Sequence, residues 1–349
     1  MSIEEGINEA VYYLSKPVWK ATEFFLINDS SWRGTASKVF GIVAMIFAAP
    51  FAIVGEALHA ASQRYFQRPY LSYKGPLQTS QDDMPKKLMT FNACMFPGGL
   101  PTPFGGMSTA SARMDRMVQF LQAQNADIIC MQEVSLEAAK QLIDKLKHQY
   151  SCFYYRIGPN PFQMETMMFW ISKHPPLQEP TFIPFNIPGA QKGIRRGFFV
   201  AEFEKCYVVT THLDPGVNGG EIRVRQIEAI LKYIELLQSK PLFLMGDLNI
   251  EPEDIKAHTF LKDNFQNFQT QDVSNPTEAN ATCLDNCSEC VRDPILKPKW
   301  TVIDHILVHN LLFNIVNEKI PTFDLKNLPG ALSDHHAVVL VVNDTRSKL

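Results

Sequence analysis

The chain has 349 residues, 33 basic and 36 acidic side chains, a formal net charge of -3 and a pI near 6.3. That length exceeds the ~100 to 200 residues of a typical domain, so one large domain with an appendage is expected. At 46% hydrophobic and 20% charged residues the chain is neither disordered nor collagen-like, and its mean hydropathy of -0.10 excludes a multi-span membrane protein. The slightly acidic balance lacks the basic field with which nucleic-acid binders gather phosphates, so nucleic acid is not the preferred ligand.

The first eighty residues differ from the rest. Residues 10–27 mix Tyr12, Tyr13, Trp19, Phe24 and Phe25 with Lys16 and Lys20, a combination that favours the headgroup layer of a membrane. Residues 39–55 then run without a charge between Lys38 and Glu56. A bilayer takes ~20 apolar residues, and Pro50 inside the run would kink or break a helix, so a re-entrant or interfacial hairpin is as well suited as a span. A cleaved signal peptide fits poorly, because the run starts late and the terminus is acidic, and the segment is expected to be retained. Arg64, Arg68 and Lys74 follow with no acidic residue over 57–81, a clamp for anionic lipid at ~1 kcal/mol per cation. The alternative is a buried helix packed on the rest of the chain. Pro69, Gly75 and Pro76 with polar residues 78–83 read as a linker. The division is therefore a membrane-associating segment over 1–80 and a second, larger domain over 86–345.

From residue 86 onward, short apolar runs suited to buried strands occupy 87–91, 127–131, 152–156, 167–172, 198–203, 207–211, 242–245, 302–308 and 337–342. Helical periodicity covers 112–124, 136–146 and 221–237. Nine strands interleaved with helices predict an α/β architecture with two sheets.

Polar residues gather at the strand ends, where loops aim side chains from a rigid scaffold. Asn92, Glu133, His212, the pair Asp247 and Asn249, Asp304, and Asp334-His335 each occupy such an end. These are the residue types of metal-assisted phosphate ester hydrolysis. Mg²⁺ takes oxygen ligands and is commonly held by one or two carboxylates, so Glu133, Asn92 and Asp334 are the candidate metal ligands. Water attack on a phosphodiester needs a base titrating near neutrality, and an imidazole needs a carboxylate to fix its tautomer; His335 with Asp304 is that pair. His212 and Asn249 would donate to the phosphoryl oxygens, as both substrate-binding and catalytic groups, with Asp247 beside them. Singly, each has a bland reading, since Asp247 and Asn249 suit a turn and either histidine could be a satisfied core residue.

The ordered set resembles the endonuclease/exonuclease/phosphatase superfamily. The blocks are Thr-Phe-Asn at 90–92, Met-Gln-Glu-Val at 131–134, Thr-His-Leu at 211–213, Gly-Asp-Leu-Asn at 246–249, Ile-Asp-His-Ile-Leu at 303–307 and Ser-Asp-His-His-Ala-Val at 333–338. The resemblance implies a four-layer α/β sandwich, two mixed β-sheets flanked by helices, and a Mg²⁺-dependent phosphoesterase using one ion, with Mn²⁺ able to substitute. Within it His335 matches the general base. Residues 87–97, 169–175 and the helix start at 223–230 are similar to neutral sphingomyelinases, as is the N-terminal apolar segment followed by Gln67-Arg68-Pro69-Tyr70. That resemblance implies a membrane lipid substrate, sphingomyelin or a related choline phospholipid, and marks Arg196 as substrate-binding where those enzymes more usually carry a lysine. Arginine keeps the cation but changes its geometry.

An inositol-lipid phosphatase is the nearest rival, although its Arg after Gly-Asp-x-Asn and its Trp-Cys-Asp-Arg-Ile-Leu block are absent. A nuclease and a membrane-bound interaction protein are the others. Cys283, Cys287 and Cys290 have zinc-like spacing without an obvious fourth ligand and read as a loop of free or locally paired thiols. Cys94, Cys130, Cys152 and Cys206 read as small buried hydrophobes.

Overall fold

The computed structural model describes residues 3–25, 32–66, 69–77, 84–100, 107–159, 164–190, 193–216, 219–237, 240–251, 254–265, 282–285, 299–309, 314–320 and 331–343. Arg68, residues 78–83, Cys287 and Cys290, named above, lie outside them. In chain order the elements are α1 (Ile3–Phe25), α2 (Trp32–Phe66), β1 (Leu71–Lys74), β2 (Lys87–Met95), α3 (Ala110–Gln124), β3 (Ile128–Val134), α4 (Leu136–Leu146), β4 (Cys152–Tyr155) and β5 (Phe169–Ser172). There follow β6 (Thr181–Pro184), β7 (Gly197–Glu202), β8 (Tyr207–His212), α5 (Gly220–Ile234), β9 (Leu242–Asp247), α6 (Ile255–Asn264), β10 (Cys283–Asp285), β11 (Lys299–Thr301), β12 (Asp304–His309), β13 (Asn314–Ile320) and β14 (Ala337–Asn343).

All nine apolar runs read as strands form strands. One sheet has the order β1-β4-β5-β3-β2-β14-β13 and the other β12-β9-β8-β7-β6, while β10 and β11 pair with each other. Both large sheets are mixed, because β2 and β3 are parallel, β8 and β9 are parallel, and the remaining pairs are antiparallel. Side chains alternate across each strand, so successive residues serve different layers. On β2, Met89 and Phe91 pack under α3 and α4 with Met117, Leu121 and Leu142, whereas Leu88 faces the second sheet. On β9, Phe243 and Met245 enter that central layer, while Leu244 packs against Ile227 and Ile230 of α5. The result is four layers, helices, sheet, sheet and helices, with Trp170, Phe199 and Phe243 filling the middle. Side-chain caps fix where two helices start: Thr109 Oγ1 accepts from the Ala112 amide at 3.2 Å, and Ser135 Oγ from the Ala138 amide at 3.3 Å.

The N-terminal part departs from the sequence reading in two ways. First, Pro50 does not break the helix; α2 continues through it for 35 residues, and Pro50 is exposed. An apolar helix of this length tolerates a proline, and the stretch Trp32–Ser62 is long and apolar enough to cross a membrane by length and composition. Gly34, Gly41, Ala48, Gly55 and Ser62 recur every seventh residue and are all buried, forming a stripe of small side chains that permits close helix packing. Much of the rest of α2 exposes apolar side chains, among them Phe40, Ile46, Phe47, Phe51 and Ile53. Second, the expected linker is partly a strand. Leu71 to Lys74 pair antiparallel with β4, Leu71 opposite Tyr155, and Tyr70 packs edge-on to Tyr154 and Phe199 at 5.4 and 5.3 Å. A short strand that can cover an open sheet edge is held there in preference to a solvated loop. The helices also touch the catalytic layers: Tyr12 donates to Glu137 Oε2 at 2.6 Å, Lys140 lies 3.6 Å over the Tyr12 ring, and Glu56 stands 4.0 Å from Arg156.

Gly246 shows how tightly the second sheet is set. A Cβ there would fall 1.9 Å from the Thr211 carbonyl oxygen of the neighbouring strand, so only glycine fits before Asp247. Gly246→Ala is expected to destabilise the protein by about 1 to 3 kcal/mol, the usual cost of overpacking, and to do so while separating His212 from Asp247. Denaturant unfolding of the variant measures this, and wild-type stability would contradict it.

Candidate active site

Alternation places the site. Asn92 shares the face of Leu88 on β2, and Asp247 shares the face of Phe243 and Met245 on β9, so both point into the seam between the sheets at one end of the strands. There Asn92 Nδ2 donates to Asp247 Oδ2 at 3.0 Å and joins the two sheets. Register aligns two further groups: Asp304 of β12 is opposite Asp247, and His212 of β8 is beside it on the other side. Glu133 should face the α3 and α4 layer with Met131, but its left-handed backbone, φ 58°, breaks the alternation and turns it toward the site. Cys94, Arg156, Met167 and Asn249 share this conformation at the same end of the sheets. Clustered backbone strain of this kind, ~1 to 3 kcal/mol per residue, is a mark of functional sites.

The expected contact between His335 and Asp304 is present. His335 Nδ1 lies 2.8 Å from Asp304 Oδ2, which leaves Nε2 facing the cleft, 4.0 Å from Asp247 Oδ2. Burial alone would lower the His335 pKa, but the Asp304 carboxylate, with Cys283, holds it well above the ordinary range. His212 Nε2 stands 3.5 Å from Asp247 Oδ2, and burial with the nearby Arg196 and His335 cations keeps it neutral, so its ring offers a donor without charge. Arg196, buried just before β7, donates Nη1 to the His212 carbonyl at 3.3 Å. Asn249 is fixed through its amide to Asp247 Oδ1 at 3.0 Å and through Nδ2 to the Leu213 carbonyl at 3.2 Å.

Carboxylates are crowded here. Burial first, then Asp334 and Asp247, pushes Glu133 up to about 7, and burial with Asp304 pushes Asp247 up to about 6. Asp304 Oδ1 is buried with no hydrogen-bond partner among the described residues. Oxygen-rich, mutually repelling and partly unsatisfied, this set fits a hard divalent cation. Glu133, Asn92 and Asp334 surround one part of it, and ligand atoms of Asp247, Asp304 and His335 lie within 4.8 Å of one another in another part. The sequence reading made His335 and Asp304 the proton-transfer pair and named Asp247 as a catalytic residue, none of them as a metal ligand; the geometry of the three is also compatible with holding metal.

Every candidate site residue named from the sequence comes to this one end of the sandwich. Others were not foreseen. Ser333 Oγ donates to the Asn92 carbonyl at 2.6 Å and accepts from the His335 amide at 3.2 Å, tying the loop before β14 to β2. Arg113 is fully buried and donates to the carbonyls of Ala93 at 3.1 Å and Ser108 at 2.9 Å, and to those of Cys94 and Leu332. Its signal was an arginine in step with Met117 and Leu121 on an apolar helix face. Cys283, left open above, is buried in β10 beside His335 as a free thiol.

Comparison with known proteins agrees with this geometry. A 155-residue stretch is 31% identical to an exodeoxyribonuclease of Bacillus subtilis (strain 168), covering 43% of this chain and 57% of that protein, so the match spans little more than half of the relative. A mutant beta toxin of Staphylococcus aureus with bound magnesium ions has a TM-score of 0.53 at 19% identity, over 74% of this chain and all (100%) of that one. D. rerio TDP2 complexed with single strand DNA product has a TM-score of 0.53 at 15% identity, over 75% and 100%. At such identities these structures share the fold. The sequence model of the endonuclease/exonuclease/phosphatase family matches residues 89–335, a span that takes in each site residue from Asn92 to His335, and the chain belongs to that family.

Proposed function

We propose that the chain is a Mg²⁺-dependent phosphodiesterase that hydrolyses sphingomyelin, or a related choline phospholipid, to ceramide and phosphocholine at a membrane surface. Nε2 of His335 takes a proton from the attacking water while Asp304 holds Nδ1 and steadies the imidazolium. The water oxygen bonds to phosphorus as the bond from phosphorus to the ceramide oxygen breaks, a proton from solvent converts that oxygen to the alcohol, and the proton taken up by His335 returns to solvent. Arg196, His212 and Asn249 face the phosphoryl oxygens and stabilise their growing charge. A cation held by Glu133, Asn92 and Asp334 would supply further neutralisation of that charge.

The observation that carries the lipid reading is the continuity between the apolar helix and the catalytic sheet. Helix α2 exposes its apolar side chains and runs, through Gln67 and Arg68, into Pro69 and β1, whose Leu71 pairs at the end of β4 nearest the site. An active site held beside a membrane helix meets lipid at high effective concentration. A nuclease is the second reading, favoured by the identity to the Bacillus exodeoxyribonuclease. Sphingomyelin vesicles, inositol phosphates and plasmid DNA, each with Mg²⁺, decide among the readings by the product released; DNA cleavage without phosphocholine release would replace the first with the second.

Further outcomes follow from the site. Chelation should abolish turnover and Mg²⁺ restore it, while His335→Ala should lower kcat ~10² to 10⁴-fold, the range of general-base catalysis. Glu133 and Asp247 bind protons more tightly folded than unfolded, where carboxylates titrate near ~4, so their protons stabilise the fold fully below ~4 and this is lost as pH rises through about 6 to 7. Mg²⁺ competes for the same oxygens, so its Tm increase should be larger at about pH 8 than at about pH 5.5. Equal shifts in thermal denaturation would exclude metal binding at these carboxylates. Replacing Ile46, Phe47, Phe51 and Ile53 with aspartate should release the full chain from sphingomyelin vesicles in flotation, since each charge at a helix centre costs ~2.5 to 3.5 kcal/mol in a bilayer. Unchanged flotation would remove α2 from membrane binding.

A further inference from the structure

Asp304 opens β12 in the five-stranded sheet, whereas His335 precedes β14 in the seven-stranded sheet. Among the described residues no strand ladder joins the two, yet their bond is 2.8 Å long. Something else must hold the two backbones in register. Thr282, buried immediately before β10, touches both. Its Oγ1 accepts from the Ile303 amide at 3.0 Å and from the Asp304 amide at 3.1 Å. Its own amide donates to the Thr301 carbonyl at 2.8 Å, and its carbonyl accepts from the His336 amide at 2.7 Å. The next residue, Cys283, forms an antiparallel bridge with His335 itself.

We infer that Thr282 is a positioning residue for the reaction: its hydroxyl and carbonyl staple the Asp304 backbone to the His335-His336 backbone and thereby set the geometry of the base. This rests on the phosphodiesterase reading above. A hydroxyl is required at this place because one oxygen must accept from two consecutive buried amides, which an apolar side chain of the same shape leaves unpaired. Partners that orient a metal-bound histidine typically matter about 10 to 100-fold, and a loss of the same order is expected for a group that sets the place of the base.

The test uses the full chain, Mg²⁺ and two probes, sphingomyelin vesicles and bis(4-nitrophenyl) phosphate. Thr282→Val should lower kcat by about 10 to 100-fold with KM little changed, and Thr282→Ser, which restores the acceptor, should recover most of the loss. In an His335→Ala background Thr282→Val should cost nothing further, because a residue acting only through the histidine has nothing left to position. Wild-type kcat in Thr282→Val, an equal loss in Thr282→Ser, or the same fold-loss in the His335→Ala background would each overturn the inference. Hydrogen exchange on the unmodified protein gives a readout independent of any variant's folding. The Ile303, Asp304 and His336 amides should be strongly protected, and exchange at unstructured rates would overturn the staple. Should the unmodified chain turn over neither probe, the phosphodiesterase reading fails by itself, and the exchange result still decides whether the staple exists.

Discussion

Several carboxylates lie within a few ångströms of one another at the seam of two β-sheets, and their mutual repulsion is the constraint around which the rest is arranged. Glu133 and Asp247 are both pushed upward in pKa by burial and by acidic neighbours, so the folded chain stabilises them with amides and cations instead of water. The Asn92 amide bridges to Asp247, Arg196 adds charge nearby, and Arg113 clamps four carbonyls to fix the loop that carries Asp334 and His335. Left-handed backbone at Glu133 and Asn249 brings those side chains to the seam at an energetic cost that the packed layers on either side offset.

The layers themselves were legible in the sequence because burial on both faces leaves continuous apolar runs, and each of the nine became a strand. The place of the site was legible for a related reason: a polar residue at the end of such a run is carried to the end of a sheet, and Asn92, His212, Asp247 and Asp304 all meet there. What escaped was whatever depends on contacts distant in sequence. Strands β1 and β13 are edge strands whose residues satisfy only one neighbour, so Leu71 to Lys74 carry no burial signature and read as linker. Thr282 is one threonine in an unremarkable stretch, and its importance lies in amides twenty-one, twenty-two and fifty-four residues away.

Helix α2 illustrates a subtler limit. Counting uncharged residues found its apolar run, but the seven-residue recurrence of Gly34, Gly41, Ala48, Gly55 and Ser62 carries separate information about packing. One helix face is specified by small size and the remaining surface by hydrophobicity, so a plain apolar count merges two different instructions. Pro50 lies off the small stripe, on the exposed side of the helix.

The edge strand β1 has a mechanical consequence. Three peptide units separate Phe66, the last residue of α2, from Pro69, and these reach at most ~11 Å when fully extended. With α2 in a bilayer, the sheet therefore hangs on a tether shorter than its own width and cannot swing out to sample the aqueous phase. If the substrate is the lipid proposed above, its encounter would then be a matter of lateral diffusion within one leaflet, and the quantity setting the rate would be the mole fraction of substrate in that two-dimensional plane, whatever its amount per volume of solution.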